Sequence, residues 1–119
     1  MYRCSGLVVA LLLNAQSGHA GGDYPVFAGD ELALGRTTWV ENCETCHAYG
    51  IAGAPLSSDT TEWQQRAAQG RAALYQHAIE GFFGPGGTMM PPRGGNDALS
   101  DAEVKAAVDY MLELAAHEQ

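Results

Sequence analysis

Cys43-Glu44-Thr45-Cys46-His47 gathers two thiols and an imidazole into five residues. Two cysteines three positions apart on one helical turn can each add to a vinyl group of a porphyrin, and the next residue then presents its imidazole to the iron. C-x-x-C-H is the attachment pattern of a covalently bound c-type haem. A bare C-x-x-C also suits a redox dithiol or half of a zinc site. The first belongs beside a βαβ pattern, and no β-rich run flanks this motif. The second needs two further soft ligands, and the only other cysteine is Cys4, near the N-terminus. Cys43 and Cys46 are therefore expected as the thioether positions, and His47 as the iron's proximal ligand.

With His47 on one side of the iron, the other face needs a ligand, a water or an open site, and that choice separates electron carriers from ligand-binding haem proteins. The stretch Gly84-Pro85-Gly86-Gly87-Thr88-Met89-Met90-Pro91-Pro92-Arg93-Gly94-Gly95 is the candidate source. A methionine thioether opposite histidine raises the reduction potential. The prolines restrict the backbone after Met90, and the glycines let the loop pass close to a porphyrin edge. By residue type alone Met89 and Met90 are both eligible. His77 is a rival ligand, although a lone helical histidine is more often a surface or hydrogen-bonded residue. His117 reads as a solvated side chain near a helix C-terminus.

The elements that must position these groups are helical. Leu32, Gly35, Trp39, Val40 and Cys43 recur at helical spacing and suggest a helix from about residue 30, capped by Asp30, that runs into the haem motif. Asp59 and Glu62 suggest the start of a short helix over 59–69, stopped by Gly70. Another is expected over 71–81 with Leu74, Ala78 and Ile79 facing inward. Ser100-Asp101-Ala102-Glu103 reads as a capping box ahead of an apolar face of Val104, Ala107, Val108, Met111, Leu112 and Ala115. Gly35 and Trp39 lie one turn apart, and a small residue facing a large one lets helices cross closely, so this face is expected to meet Tyr110. Four helices without strand alternation make an all-α domain around one cofactor.

At 119 residues the chain is one domain with a modest core. Its first twenty residues read as an export signal: Arg3, the apolar run Leu7 to Leu13, then Gly18-His19-Ala20 at a cleavage site, with Ala15 as the alternative. That run is too short to span a bilayer. Cleavage after Ala20 would remove Cys4 and leave a flexible segment over 21–28 and a haem domain over 29–119. The mature chain would hold five basic against fourteen acidic side chains, a net of −9. Such a surface disfavours backbone-driven nucleic-acid binding and suits a basic docking partner or simple solubility.

Three segments in order, Cys43 to His47, Trp63-Gln64-Gln65-Arg66, and Met90 to Gly95 leading into Leu99-Ser100-Asp101, resemble the small monohaem class I cytochromes c, most closely the bacterial cytochrome c5 type. The resemblance spans about residues 29–115. It implies a class I cytochrome c fold, one haem c held by Cys43 and Cys46, and iron ligation by His47 and by Met90, the methionine directly before the proline pair. It also implies that the Pro55 carbonyl accepts the Nδ1 proton of the ligating histidine, and that Trp63 and Arg66 line the haem edge near the propionates. Many c5-type proteins carry another cysteine pair after the Met-Pro-Pro segment, where this chain has Gly95-Asn96-Asp97-Ala98, so that disulfide is absent.

The function expected on these grounds is a periplasmic single-electron carrier, not an enzyme, that exchanges electrons with redox protein partners. The alternatives are a gas-binding haem c sensor or scavenger, in which the sulfur ligand is displaced, and a haem subunit of a larger oxidoreductase complex.

Overall fold

Residues 22–117 are described by the computed structural model. The expected export signal, with Cys4, lies outside the described residues. Five α-helices follow in order: α1 (Asp30–Asn42), α2 (Glu44–His47), α3 (Thr60–Ala67), α4 (Arg71–Glu80) and α5 (Asp101–His117). A two-residue antiparallel ribbon, β1 (Phe82–Phe83) and β2 (Met89–Met90), lies between α4 and α5 and pairs Phe82 with Met90 and Phe83 with Met89. The chain is all-α, as expected, with the ribbon as its one strand pairing among the described residues.

Local chemistry sets the helix ends. At α5, Ser100 N–H donates to Glu103 Oε2 at 2.8 Å and Glu103 N–H to Ser100 Oγ at 3.2 Å, a closed capping box. At α3, Asp59 Oδ1 accepts from Glu62 N–H at 3.0 Å. Gly70 and Gly81 follow α3 and α4 with φ of +95° and +88°, values that other residues rarely adopt. Asp30, expected as the cap of α1, is instead its first helical residue; Gly29 occupies the cap at φ +105° and no side chain closes it. Asp30 and Glu31 place negative charge on the helix's positive end. The expected run of α1 into the motif is interrupted at Cys43, where φ opens to −116°, and α2 is a separate turn.

The core forms where α1 crosses α5. A Cβ on Gly35 would sit 2.1 Å from the Ala106 carbonyl oxygen and 2.9 Å from Tyr110 Cβ, so the glycine is what lets the backbones touch. One turn on, Trp39 and Tyr110 meet with ring centroids 5.9 Å apart, and with Leu114 they are the largest fully buried side chains. Burying each such side chain stabilises the fold by roughly 1.5–3 kcal/mol. A second cluster packs Leu74 and Ala78 of α4 against Val104 and Val108 of α5, with Met90 and Leu99 at its margin. Arg71 and Tyr75 of α4 both bond to Asp109, a carboxylate on the buried side of α5.

The segment before α1, expected to be flexible, is strapped across this crossing. Tyr110 Oη donates to the Pro25 carbonyl at 2.8 Å, Arg36 Nε donates to the Tyr24 carbonyl at 3.1 Å, and Phe27 packs on the rings of Tyr110 and His117.

Candidate functional site

α2 is a single turn, so Cys43 at its cap, Cys46 and His47 are held close together, and all three line a cavity of about 300 Å³. Cys43 and Cys46 are free thiols, half-buried, and both line the cavity. Burial, and after it the neighbouring Cys46, push the Cys43 thiol up to about 11. His47 is buried, and its Nδ1–H donates to the Pro55 carbonyl at 2.9 Å, which leaves Nε2 as the free ring nitrogen. Desolvation lowers its pKa; the Pro55 bond acts in the opposite sense and Arg66 adds a smaller lowering. A neutral imidazole with one nitrogen fixed by a carbonyl has the form a metal ligand takes, because the carbonyl orients the ring and raises its basicity.

The Pro55 loop is held at three successive residues. Pro55 accepts from His47, the Leu56 carbonyl accepts from Trp63 Nε1 at 2.8 Å, and Ser57 N–H donates to the His47 carbonyl at 2.7 Å. Trp63 is buried and lines the cavity, with its ring 6.0 Å from that of His47. Its N–H is thus committed to the loop. Arg66, also lining the cavity, pairs with Glu62 at 2.7 Å and lies over the Trp63 ring at 5.7 Å.

On the methionine side, the ribbon distinguishes the two sulfurs. Met89 is 51 % exposed, whereas Met90 is half-buried and packs against the Leu74–Val104 cluster; both line the cavity. Arg93 follows at φ +55°, unusual for a residue with a side chain, and is anchored by bonds to the Leu99 carbonyl at 2.9 Å and Asp101 Oδ1 at 2.6 Å. That clamp ties the end of the methionine loop to the start of α5. His77 lines the cavity as well, stacked on Phe82 at 4.2 Å. His117 lies at the far end of α5 against Phe27.

The residues present fit a haem. The cavity is lined mostly by apolar side chains, together with the two thiols, the neutral imidazole and the thioethers of Met89 and Met90. The indole N–H of Trp39, which also lines it, is buried with no hydrogen-bond partner, a sign that the fold expects something in this space. Three participants were not apparent from residue pattern: Leu56 and Ser57, which act through backbone groups, and Trp39 as a cavity wall, which read only as a core aromatic.

Comparison with known proteins agrees. Residues 30–111 match the family model described as cytochrome c oxidase, cbb3-type, subunit III. Cytochrome c-555 of Chlorobaculum tepidum is 44 % identical over 82 residues, covering 69 % of this chain and 75 % of that protein. Cytochrome c5 of Ectopseudomonas mendocina is 34 % identical over 73 residues, covering 60 % and 78 %. A cytochrome c crystallised in an electron-transfer complex with nitrite reductase superposes with a TM-score of 0.59 at 39 % identity, covering 69 % of this chain and 94 % of its own. The chain belongs to the small monohaem class I cytochromes c, whose cofactor is a covalently bound haem c.

Proposed function

We propose that this haem c electron carrier works in the periplasm, with thioether bonds at Cys43 and Cys46, axial ligation by His47 and Met90, and no substrate chemistry of its own. The haem supplies an iron that takes up and releases one electron. The chain's work is to fix its surroundings: Pro55 holds the imidazole ring, Trp63 and Ser57 hold Pro55, and the Arg93 clamp holds the methionine loop. Trp63 and Arg66 wall the haem edge.

The observation that carries this reading is that one cavity is lined by Cys43, Cys46, His47 and Met90 together, although His47 and Met90 are 43 positions apart in sequence. Burial favours Met90 over Met89 as the ligand, since a thioether held in an apolar cluster loses less freedom on binding iron than one half in water. The loops at the cavity mouth, 48–58 and 81–96, contain no acidic residue, and Arg93, their single charge, is paired with Asp101. Ile51, Phe83 and Met89 are exposed there. An apolar rim beside a redox centre suits contact with protein partners, in keeping with the nitrite reductase complex of the structural relative. A basic face on the partner would engage the acidic remainder of the surface.

Two single variants test the ligation. Met90→Ala should lose the far-red band of Met-ligated ferric haem and lower the reduction potential in voltammetry, and Met89→Ala should keep both. The reverse pattern would assign the role to Met89, and loss in neither would remove the loop from the iron. Rapid carbon monoxide binding by the native ferrous protein would instead support the gas-binding reading. The description of the matched family favours one other reading, a haem subunit of an oxidase complex. No helix among the described residues is long and apolar enough to cross a membrane, and co-purification with other subunits would distinguish that case from a free carrier.

A further inference from the structure

Trp39, a wall of the haem cavity, touches a second aromatic ring on the side of the N-terminal strap. Its centroid lies 4.8 Å from that of Tyr24 in an edge-on arrangement at 80°. Tyr24 is only partly buried, and its Oη donates to Glu44 Oε1 at 2.9 Å. The two rings thus connect the cavity to the surface, and the outer one ends on a carboxylate. We propose that Trp39 and Tyr24 form a relay that drains one-electron oxidising equivalents from the haem cavity, with Glu44 as the proton acceptor at its outer end.

The hydrogen bonding sets the direction. An oxidised indole can settle only by giving its N–H proton to a base, and no protein group among the described residues accepts a hydrogen bond from Trp39 Nε1. The electron vacancy therefore remains on a positively charged ring and passes to a neighbour. Tyr24 can release its proton as its electron leaves, because a carboxylate already holds the other end of that bond. The oxidised state comes to rest as a neutral tyrosyl group beside a protonated Glu44.

Other aromatic residues are less suited. Trp63 lines the cavity, yet the Arg66 guanidinium 5.7 Å above its ring opposes loss of an electron. Tyr110 is 5.9 Å from Trp39, but its hydroxyl donates to the Pro25 carbonyl, which cannot keep a proton. Tyr75 does have a carboxylate, Asp109, but that group is already paired with Arg71, and Tyr75 is not among the rings packed on Trp39.

The oxidant is a hydroperoxide. Hydrogen peroxide takes two electrons and two protons to become two waters. One of the electrons would come from the bound haem; Tyr24 gives the other through Trp39, its proton moves to Glu44, and the two protons consumed come from solvent. A reduced partner protein then returns both electrons. The relay would move oxidative damage away from the porphyrin to a site from which it can be repaired by reduction.

The relay rests on covalent haem in the cavity, so haem content is read first, by absorbance of the polypeptide-bound pigment. Absent haem would count against the family reading and not against the relay. The haem-loaded mature protein is then mixed with hydrogen peroxide, freeze-quenched, and examined by electron paramagnetic resonance, with oxidised residues mapped by mass spectrometry. The expected result is a tyrosyl signal in the native protein that is lost in Tyr24→Phe and lost in Trp39→Phe, which retains Tyr24, with faster haem bleaching in both. Glu44→Gln, which keeps the chain's shape but not the base, should weaken the signal and abolish its solvent deuterium effect. A native haem-loaded protein without a tyrosyl signal, or a signal that persists in Tyr24→Phe or in Trp39→Phe, overturns the proposal.

Discussion

Replacing Gly35 with alanine introduces one methyl carbon at the point where α1 and α5 are closest. Its Cβ would lie 2.1 Å from the carbonyl oxygen of Ala106 and 2.7 Å from the carbonyl carbon, and ordinary contact begins at 3.4 Å, so the shortfall is 1.3 Å. The obstacle is backbone inside a regular helix, and no side-chain rotation relieves it. One helix must move away from the other, which loosens the Trp39–Tyr110 contact a turn further on. Overpacking of this kind costs about 3 kcal/mol. The gain from putting alanine in a helix interior in place of glycine is about 1 kcal/mol. The net loss is about 2 kcal/mol, which for a domain of this size lowers the melting midpoint by roughly 8–16 °C. Thermal denaturation of haem-loaded Gly35→Ala, followed by far-ultraviolet circular dichroism, reads this directly. A midpoint above that of the native protein would refute the close crossing, because a rise is what the propensity gain alone predicts.

Asp109→Asn should destabilise the fold by about 1–2 kcal/mol in denaturant titration, since a charge-assisted bond from Tyr75 becomes a neutral one; Arg71 is 52 % exposed and adds little through its charge. Trp63→Phe frees the Leu56 carbonyl and should cost about 1 kcal/mol while shifting the reduction potential in voltammetry, because the same loop holds the His47 ring. Burial, followed by the hydrogen bond and charge of Glu44, raises the Tyr24 phenol above its ordinary value of 10.0. The folded state then holds that proton more tightly than the unfolded chain. The contribution to stability is complete below pH 10 and is lost as the pH rises through the folded-state value. Melting midpoints measured across alkaline pH should therefore fall less steeply for Tyr24→Phe than for the native protein.

The parts of this molecule that can be read from sequence are those where a local rule is written in neighbouring residues. Asp59 with Glu62 and Ser100 with Glu103 announce helix starts because the capping bonds span three residues. The Gly35–Trp39 spacing announces a crossing with Tyr110 because it is a question of size on one helix face. The ribbon of Phe82–Phe83 and Met89–Met90 was invisible, since strands of two residues are too short to show alternation. Asp109 was hidden for a related reason: a carboxylate inside the apolar face of α5 makes sense only once Arg71 and Tyr75 arrive from α4. Asp30 misleads as a cap because Gly29, at φ +105°, takes the cap position and Asp30 is already helical. At the site, C-x-x-C-H concentrates its chemistry in five consecutive residues. The bond to the Leu56 carbonyl is made by a backbone oxygen, which every residue carries and no pattern marks, and the Pro55 carbonyl was pointed to by the family resemblance alone.

The strap has a consequence for the order in which this chain can be completed. Pro25, among the first described residues, receives its hydrogen bond from Tyr110, 85 positions later, and Gly35 is covered by Ala106 of the same last helix. What leaves the ribosome first is finished by what leaves it last. A chain built in this way has no stable N-terminal half to fold while synthesis continues, and contacts so distant in sequence form late and slowly. For the exported chain proposed above, which would cross a membrane before its haem is attached, that delay would keep it thin enough to pass.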